Sequence, residues 1–257
     1  MAKTGLAFLE DALRARKLDR TLTTTPPFGA SRPSGAPTDL ADLDECLGGG
    51  LPRGQLSEIA GPRSSGRTTL LLQLFAAAAR RGEIAALVDP FDRLDIASVV
   101  SAGVDVDRLL WVRGHDSSRA HPSTRPPSPE AFIDRTIERA LKTLNLVLQA
   151  GGFGMVAIDV ADAPLPALNR IPFTTWLRVQ RTIEGSETAC VLVAPQPLAR
   201  SAGGLTLSLG ARPQWAGGCD RSRRLAGMNI ATRVISPRRG WDGEMMVGAQ
   251  VHGCSGA

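Results

Sequence analysis

Short apolar runs alternate with longer segments of helical periodicity over residues 40–196. The apolar runs predict buried strands at residues 55–60, 84–88, 109–112, 155–158 and 189–194. Between them, amphipathic segments predict helices at residues 67–81, 94–102, 129–149 and 172–184. This alternation predicts an α/β fold with a mostly parallel central sheet and helices on both of its faces.

The pattern changes at both ends of this segment. After Gln196, period-two stretches predict antiparallel strands at residues 205–212, 228–235 and 244–251. Leu6, Leu9 and Leu13 lie at helical spacing and predict a short amphipathic helix near the N-terminus. We therefore expect an N-terminal helix (1–20), a linker rich in Pro, Thr and Ser (21–38), a core (39–210) with a proline-rich insertion at 115–129, and a basic C-terminal extension (211–257).

Composition limits the classes of protein to which this chain can belong. Hydrophobic residues make up 43% of the 257 positions and charged residues 21%, as in soluble globular proteins. The four cysteines are far apart in sequence, which argues against a zinc knuckle or a redox pair. The N-terminus has no signal-peptide core and no apolar run is long enough to cross a membrane. We expect a cytosolic (cytoplasmic) protein without a membrane segment.

The strongest chemical motif is Gly61-Pro-Arg-Ser-Ser-Gly-Arg-Thr-Thr69, between a predicted strand and a predicted helix. In that context a glycine-rich loop lets backbone N–H groups converge on phosphate at a helix N-terminus. The candidate ligands of a nucleotide phosphate chain are Gly61, Ser64, Ser65, Gly66, Arg67, Thr68 and Thr69. The alternative is a glycine-rich loop that binds nothing.

Arg67 stands where this motif requires lysine. Arginine keeps the positive charge but is larger and planar, so contact with the terminal phosphate of ATP should change. The hydroxyl of Thr68 and the carboxylate of Asp159, at the end of a predicted strand, are the candidate ligands of a Mg²⁺ ion that accompanies ATP. The alternative for Asp159 is a loop cap.

Four segments resemble bacterial RecA, in order along residues 39–209. They are residues 49–61, the loop that follows them, residues 87–95 and residues 103–110. The resemblance implies a RecA-like P-loop core that binds ATP, with Gln196 at the position that senses the nucleotide beside a DNA-binding loop. The whole fold class is then a RecA-like α/β core, antiparallel C-terminal strands and a short N-terminal helix.

The chain differs from RecA at positions that concern ATP hydrolysis and DNA binding. Phe91 stands where the resemblance places a water-activating acid, and Asp92 is the neighbouring candidate to replace that acid. The segment that matches the second DNA-binding loop, residues 197–204, holds one basic residue, Arg200. In these respects the chain resembles the ImuA-type (SulA-like) accessory component of bacterial translesion mutasomes. This resemblance implies a translesion polymerase subunit or RecA as a partner.

Positive charge gathers near the C-terminus, where residues 212–257 hold seven arginines against three acids. This surface favours weak, non-specific DNA binding or an acidic partner, and the alternative is a solvated face. The N-terminal helix predicts docking on a partner or on another copy, and the alternative is packing on its own core. The candidate contact residues are Arg200, Arg221, Arg223, Arg224, Arg238, Arg239, Leu6, Leu9 and Leu13.

The sequence leaves three functions open. The first is an accessory protein in the DNA damage response, with very weak ATPase activity or none. The second is an ATP-dependent recombinase that binds single-stranded DNA. The third is an inhibitor or scaffold that does not contact DNA.

Overall fold

The structure is a computed structural model of the chain, and it describes residues 35–114, 128–199, 204–217, 223–235 and 242–250. Its elements in chain order are β1 (Gly35–Ala36), α1 (Ala41–Leu47), β2 (Leu51–Pro52), β3 (Gln55–Ala60), α2 (Arg67–Arg80), β4 (Ala85–Asp89), α3 (Ile96–Ser101), a 3-10 turn (Val106–Arg108), β5 (Leu109–Arg113), α4 (Pro129–Ala150), β6 (Met155–Asp159), α5 (Leu165–Asn169), α6 (Phe173–Ile183), β7 (Ala189–Ala194), β8 (Thr206–Ala216), β9 (Arg224–Ile235) and β10 (Asp242–Gln250). The predicted N-terminal helix with Leu6, Leu9 and Leu13 lies outside the described residues, as do most of the 115–129 insertion, Arg200, Arg221, Arg238 and Arg239.

The central sheet has the strand order β10-β9-β8-β3-β7-β6-β4-β5. The strands from β8 to β5 along this order pair in parallel, and β9 and β10 pair antiparallel with the strand before them. The predicted α/β fold with a mostly parallel sheet and antiparallel C-terminal strands is therefore confirmed. β8 crosses the boundary that was expected at residue 210, so the C-terminal strands continue the sheet of the core.

Alternating side chains of the parallel strands enter two hydrophobic clusters, one on each face of the sheet. In β3, Ile59 joins the cluster around Phe75 of α2, whereas Leu56 joins the cluster around Leu144 of α4 and Trp176 of α6. Strands buried on both faces are continuous apolar runs in sequence, which is why the runs identified them. The carboxyl ends of these strands consequently meet at one edge, where α/β proteins bind ligands.

Two helices were not predicted, α1 and α5. α1 has seven residues and lacks a side-chain cap, and α5 has five residues with proline in its first turn, where the missing N–H costs nothing. The end of the expected linker is also structured, since β1 pairs with β2 and the Thr38 N–H donates to Asp44 Oδ1 at 2.8 Å. Among the described residues no helix has the length and apolar character needed to span a bilayer.

Candidate nucleotide-binding site

The predicted phosphate-binding loop connects β3 and α2. Gly66 caps α2 with a φ of 90°, and Ser64 has a φ of 59°. A Cβ atom on Gly66 would collide with the Ile230 side chain from β9. The Ile230 side chain of β9 therefore lies against this loop, and the positive φ of Gly66 favours glycine at this position.

A cavity of about 80 Å³ lies between the start of α2 and the carboxyl ends of β4 and β6. Its lining includes Arg67, Thr68, Asp89, Phe91, Asp159 and Asp162. The structure thus brings together four residues that the sequence singled out, Arg67, Thr68, Phe91 and Asp159. It adds Asp89 and Asp162, for which no role was predicted.

The buried positive charge beside this cavity belongs to Arg67. Arg67 is the first residue of α2 and is 8% exposed. Its Nη1 atom is buried and has no hydrogen-bond partner among the described residues, and the same holds for Ser65 Oγ in the loop. Burial lowers the pKa of Arg67, and the negative charges of Asp159 and Asp162 work in the opposite direction.

Asp159 is the half-buried acid at the end of β6. Its Oδ1 accepts a hydrogen bond from the Ala161 N–H at 2.9 Å, as a loop cap does. Burial raises its pKa to about 6, with a further contribution from the charge of Asp89, while Arg67 acts to lower it. Within the described residues, its second oxygen makes no hydrogen bond and stays available to a ligand.

Asp89 holds the segment after β4. Its Oδ2 accepts from the N–H groups of Arg93 at 2.8 Å and Leu94 at 3.0 Å, and from Trp111 Nε1 at 3.2 Å. The residue is 2% exposed, so these three donors share one buried acceptor. Asp89 therefore shapes the loop that carries Phe91.

Asp162 forms ion pairs with arginines from two loops beside the cavity. Its Oδ1 lies 3.3 Å from Arg63 Nη2 in the phosphate-binding loop, and its Oδ2 lies 3.1 Å from Arg93 Nε after β4. No sequence pattern pointed to this residue, because Arg63 is 99 positions away from it.

Phe91 forms part of the cavity wall and also packs against the cluster that contains α4 and α6. Asp92, its neighbour, has a φ of 54° and makes two hydrogen bonds with Arg113, of 2.8 Å and 2.7 Å. These bonds lower the pKa of Asp92, so its carboxylate is a weaker base than an unpaired one.

Gln196 follows β7 and is half-buried, and its Nε2 donates to Asn169 Oδ1 at 3.3 Å. Near it, Glu58 of β3 is 1% exposed and was not predicted to have a role. The N–H groups of Leu198 and Ala199 donate to Glu58 Oε1, and the Thr206 hydroxyl donates to Oε2. A buried acid thus anchors the short segment that follows β7.

The stability of the Glu58→Gln variant relative to wild type is expected to increase as the pH rises. Burial raises the pKa of Glu58, so the folded state holds a proton that the unfolded chain has released. Stability from this group is present below the unfolded pKa and is lost as the pH rises through the folded pKa. The glutamine keeps an acceptor for the two N–H groups and does not titrate.

Melting temperatures of both proteins from about pH 4 to about pH 8 test this expectation. Glu45→Gln, on an exposed position of α1, is the control. A difference between Glu58→Gln and wild type that does not change with pH contradicts the expectation.

The fold and the loop between β3 and α2 place the core among the P-loop α/β proteins. Residues 33–121 match the RecA N-terminal domain family, so this part of the chain is similar to RecA. Protein RecA of Clavibacter michiganensis is 38% identical over 131 residues, which cover 51% of this chain and 31% of that protein. Protein RecA of Synechococcus elongatus is 49% identical over 129 residues, which cover 50% of this chain and 31% of that protein. The chain spans about a third of the length of the curated relatives it matches.

Proposed function

We propose that this protein is a RecA-like accessory protein of the DNA damage response, of the ImuA-type (SulA-like) class. In this proposal it acts in the cytosol as an adaptor for a translesion polymerase complex or for RecA. Its core binds ATP through the loop from Gly61 to Thr69 but does not hydrolyse it at a useful rate. The observation that carries the proposal is Phe91 in the wall of the cavity.

Hydrolysis requires a group that takes a proton from the attacking water. Phe91 has no such group, and Asp92 is engaged by Arg113. The Oδ2 atom of Asp89 accepts three hydrogen bonds, and Asp162 is ion-paired on both oxygens. Among the described acids near the cavity, the oxygens without a hydrogen bond or ion pair are one of Asp159 and Oδ1 of Asp89, and the other oxygens are held by structural partners, which favours binding without turnover.

The adaptor role is tested by deleting residues 1–25. The core contains the whole strand–helix alternation, so we expect the melting temperature to stay nearly unchanged while association weakens. Association is measured by light scattering for self-assembly, and by pull-down with purified RecA and with a translesion polymerase subunit. Binding that survives the deletion undiminished, or unfolding of the shortened protein, contradicts this assignment of the N-terminal segment.

DNA binding is expected to be weak, non-specific and strongly dependent on salt, because released counterions drive it. Four arginines of the basic surface lie in the described residues, Arg212, Arg223, Arg224 and Arg233. Two of them are at the end of the β8–β9 pair, where Arg223 lies 5.1 Å from the ring centre of the exposed Trp215 and Arg224 is exposed. Reversing both charges, with Arg223→Glu and Arg224→Glu, should weaken binding to single-stranded DNA in a fluorescence anisotropy titration.

The matched control is Arg178→Glu, on an exposed position of α6. An affinity for DNA that does not depend on salt concentration contradicts an arginine contact at this end of the sheet. An affinity that falls equally in the Arg178→Glu control contradicts it as well. Tight binding together with ATP-dependent strand exchange would favour the recombinase instead.

A further inference from the structure

We propose that the end of the β8–β9 pair binds single-stranded DNA by stacking a base on the ring of Trp215, while neighbouring arginines contact the phosphates. The inference rests on the DNA binding proposed above. It goes beyond that proposal because it assigns a side chain that contacts the bases and not the phosphate backbone.

Trp215 is a large aromatic side chain that the core leaves in solvent. The residue is 50% exposed, whereas Leu207 of the same strand is fully buried. A β-bulge lies between Gln214 and Trp215, and bulges change the direction of the side chains beside them and often lie next to functional sites. About half of the surface of Trp215 is therefore open to a planar partner.

A guanidinium group lies over the ring of Trp215. The Cζ atom of Arg223 is 5.1 Å from the ring centre, a cation–π contact. A nucleotide offers a base with a flat π face and a phosphate that accepts hydrogen bonds. A paired tryptophan and arginine can contact both parts, the ring by stacking and the guanidinium by charge-assisted hydrogen bonds.

The two strands around Trp215 carry charge of one sign. Residues 206–216 and 223–235 contain four arginines and no aspartate or glutamate. Arg224 is exposed and pairs with Ala216, the residue after Trp215. Arg212 is also exposed and lies three residues before Trp215, which in a strand is about 10 Å. Exposed arginines are therefore found both along β8 and across the strand pair from the ring.

Single-stranded DNA fits this combination better than an acidic protein surface does. Carboxylates of a protein would pair with the arginines but would leave the ring of Trp215 without a planar partner. Proteins that bind single strands combine a basic surface, which contacts the phosphates, with aromatic side chains on which bases stack. Both parts are present at the end of the β8–β9 pair.

The test is a fluorescence anisotropy titration of the full chain with oligo(dT) and with an abasic strand of the same length, which keeps the phosphates and lacks the bases. We expect wild type to bind oligo(dT) at least about fivefold more tightly than the abasic strand. Trp215→Ala should lose that preference and bind the abasic strand as wild type does. Trp215→Phe, which keeps a ring, should stay within about threefold of wild type on oligo(dT).

Two further measurements separate the ring from the charges. Leu146→Ala, which removes an exposed apolar side chain of α4, is the control and should bind both strands as wild type does. Arg212→Gln should reduce the slope of log affinity against log salt concentration, whereas Trp215→Ala should leave that slope unchanged, because stacking releases no counterions. A slope that changes in Trp215→Ala contradicts the stacking.

The outcomes also separate the stacking from DNA binding itself. Equal wild-type affinities for the two strands overturn the stacking and leave the proposed DNA binding standing, whereas absence of binding to both overturns the two together. Equal losses of Trp215→Ala on both strands contradict the stacking. Poly-glutamate that binds as tightly as oligo(dT), with no change in Trp215→Ala, contradicts it as well and assigns the surface to an acidic protein. If Trp215→Ala does not fold, judged by its melting curve, the wild-type preference for oligo(dT) decides.

Discussion

Steady-state ATP turnover by this protein is expected to be about 10²–10⁴-fold below that of a RecA homologue assayed beside it, with or without single-stranded DNA. The reason is that Phe91 forms the cavity wall and offers no group to accept a proton. Arg67→Lys alone should not restore the rate, since it changes contact with phosphate and not the activation of water.

Phe91→Glu is the variant that addresses the cause. It places a carboxylate on the cavity wall, and we expect turnover to rise measurably above that of the wild type. Phe91→Gln is the matched control, because it has nearly the same size and is also polar but offers no base. DNA-stimulated turnover by the wild type at the rate of the RecA homologue, or equal gains in both variants, would contradict the assigned role of Phe91.

Asp89→Ala is expected to lower the free energy of unfolding by about 1–3 kcal/mol, because three partly buried donors lose the buried carboxylate that accepts from them. Three donors depend on one buried oxygen of Asp89, those of Arg93, Leu94 and Trp111. Urea denaturation measures the loss. Asp89→Asn is the control that keeps an acceptor oxygen, and it should lose clearly less than the alanine variant.

A loss below about 1 kcal/mol in Asp89→Ala would mean that water or another group replaces the carboxylate. That result would contradict the structural role of Asp89 in the loop after β4. It would also make the Asp89 carboxylate a candidate base beside the cavity.

Most of the parallel strands could be predicted because they are short runs buried on both faces, as β6 and β7 illustrate. The edge strand β5 is only partly buried, and its apolar residues alone identified it. The phosphate-binding loop, Asp159 and Phe91 could be placed together because the carboxyl ends of parallel strands share one edge. α5 could not be predicted, since five residues with proline in the first turn carry no helical periodicity.

The side-chain partners of the site could not be predicted either. Glu58 meets Leu198 across 140 positions, and Asp162 meets Arg63 across 99. Such contacts follow from how the loops pack against one another and leave no local pattern in the chain. The surroundings of Arg67 could not be predicted either. The sequence shows that arginine replaces the lysine of the motif, but it does not show that Nη1 is buried without a described hydrogen-bond partner.

The most direct test of the central claim, a RecA-like core that holds ATP without hydrolysing it, is a single-turnover experiment with protein in excess over ATP. The mixture is quenched at intervals and the nucleotide is identified by chromatography, with a RecA homologue and single-stranded DNA as the reference. We predict that protein-bound nucleotide is recovered as ATP after the reference has converted its own to ADP. Conversion to ADP at the rate of the reference would contradict the claim.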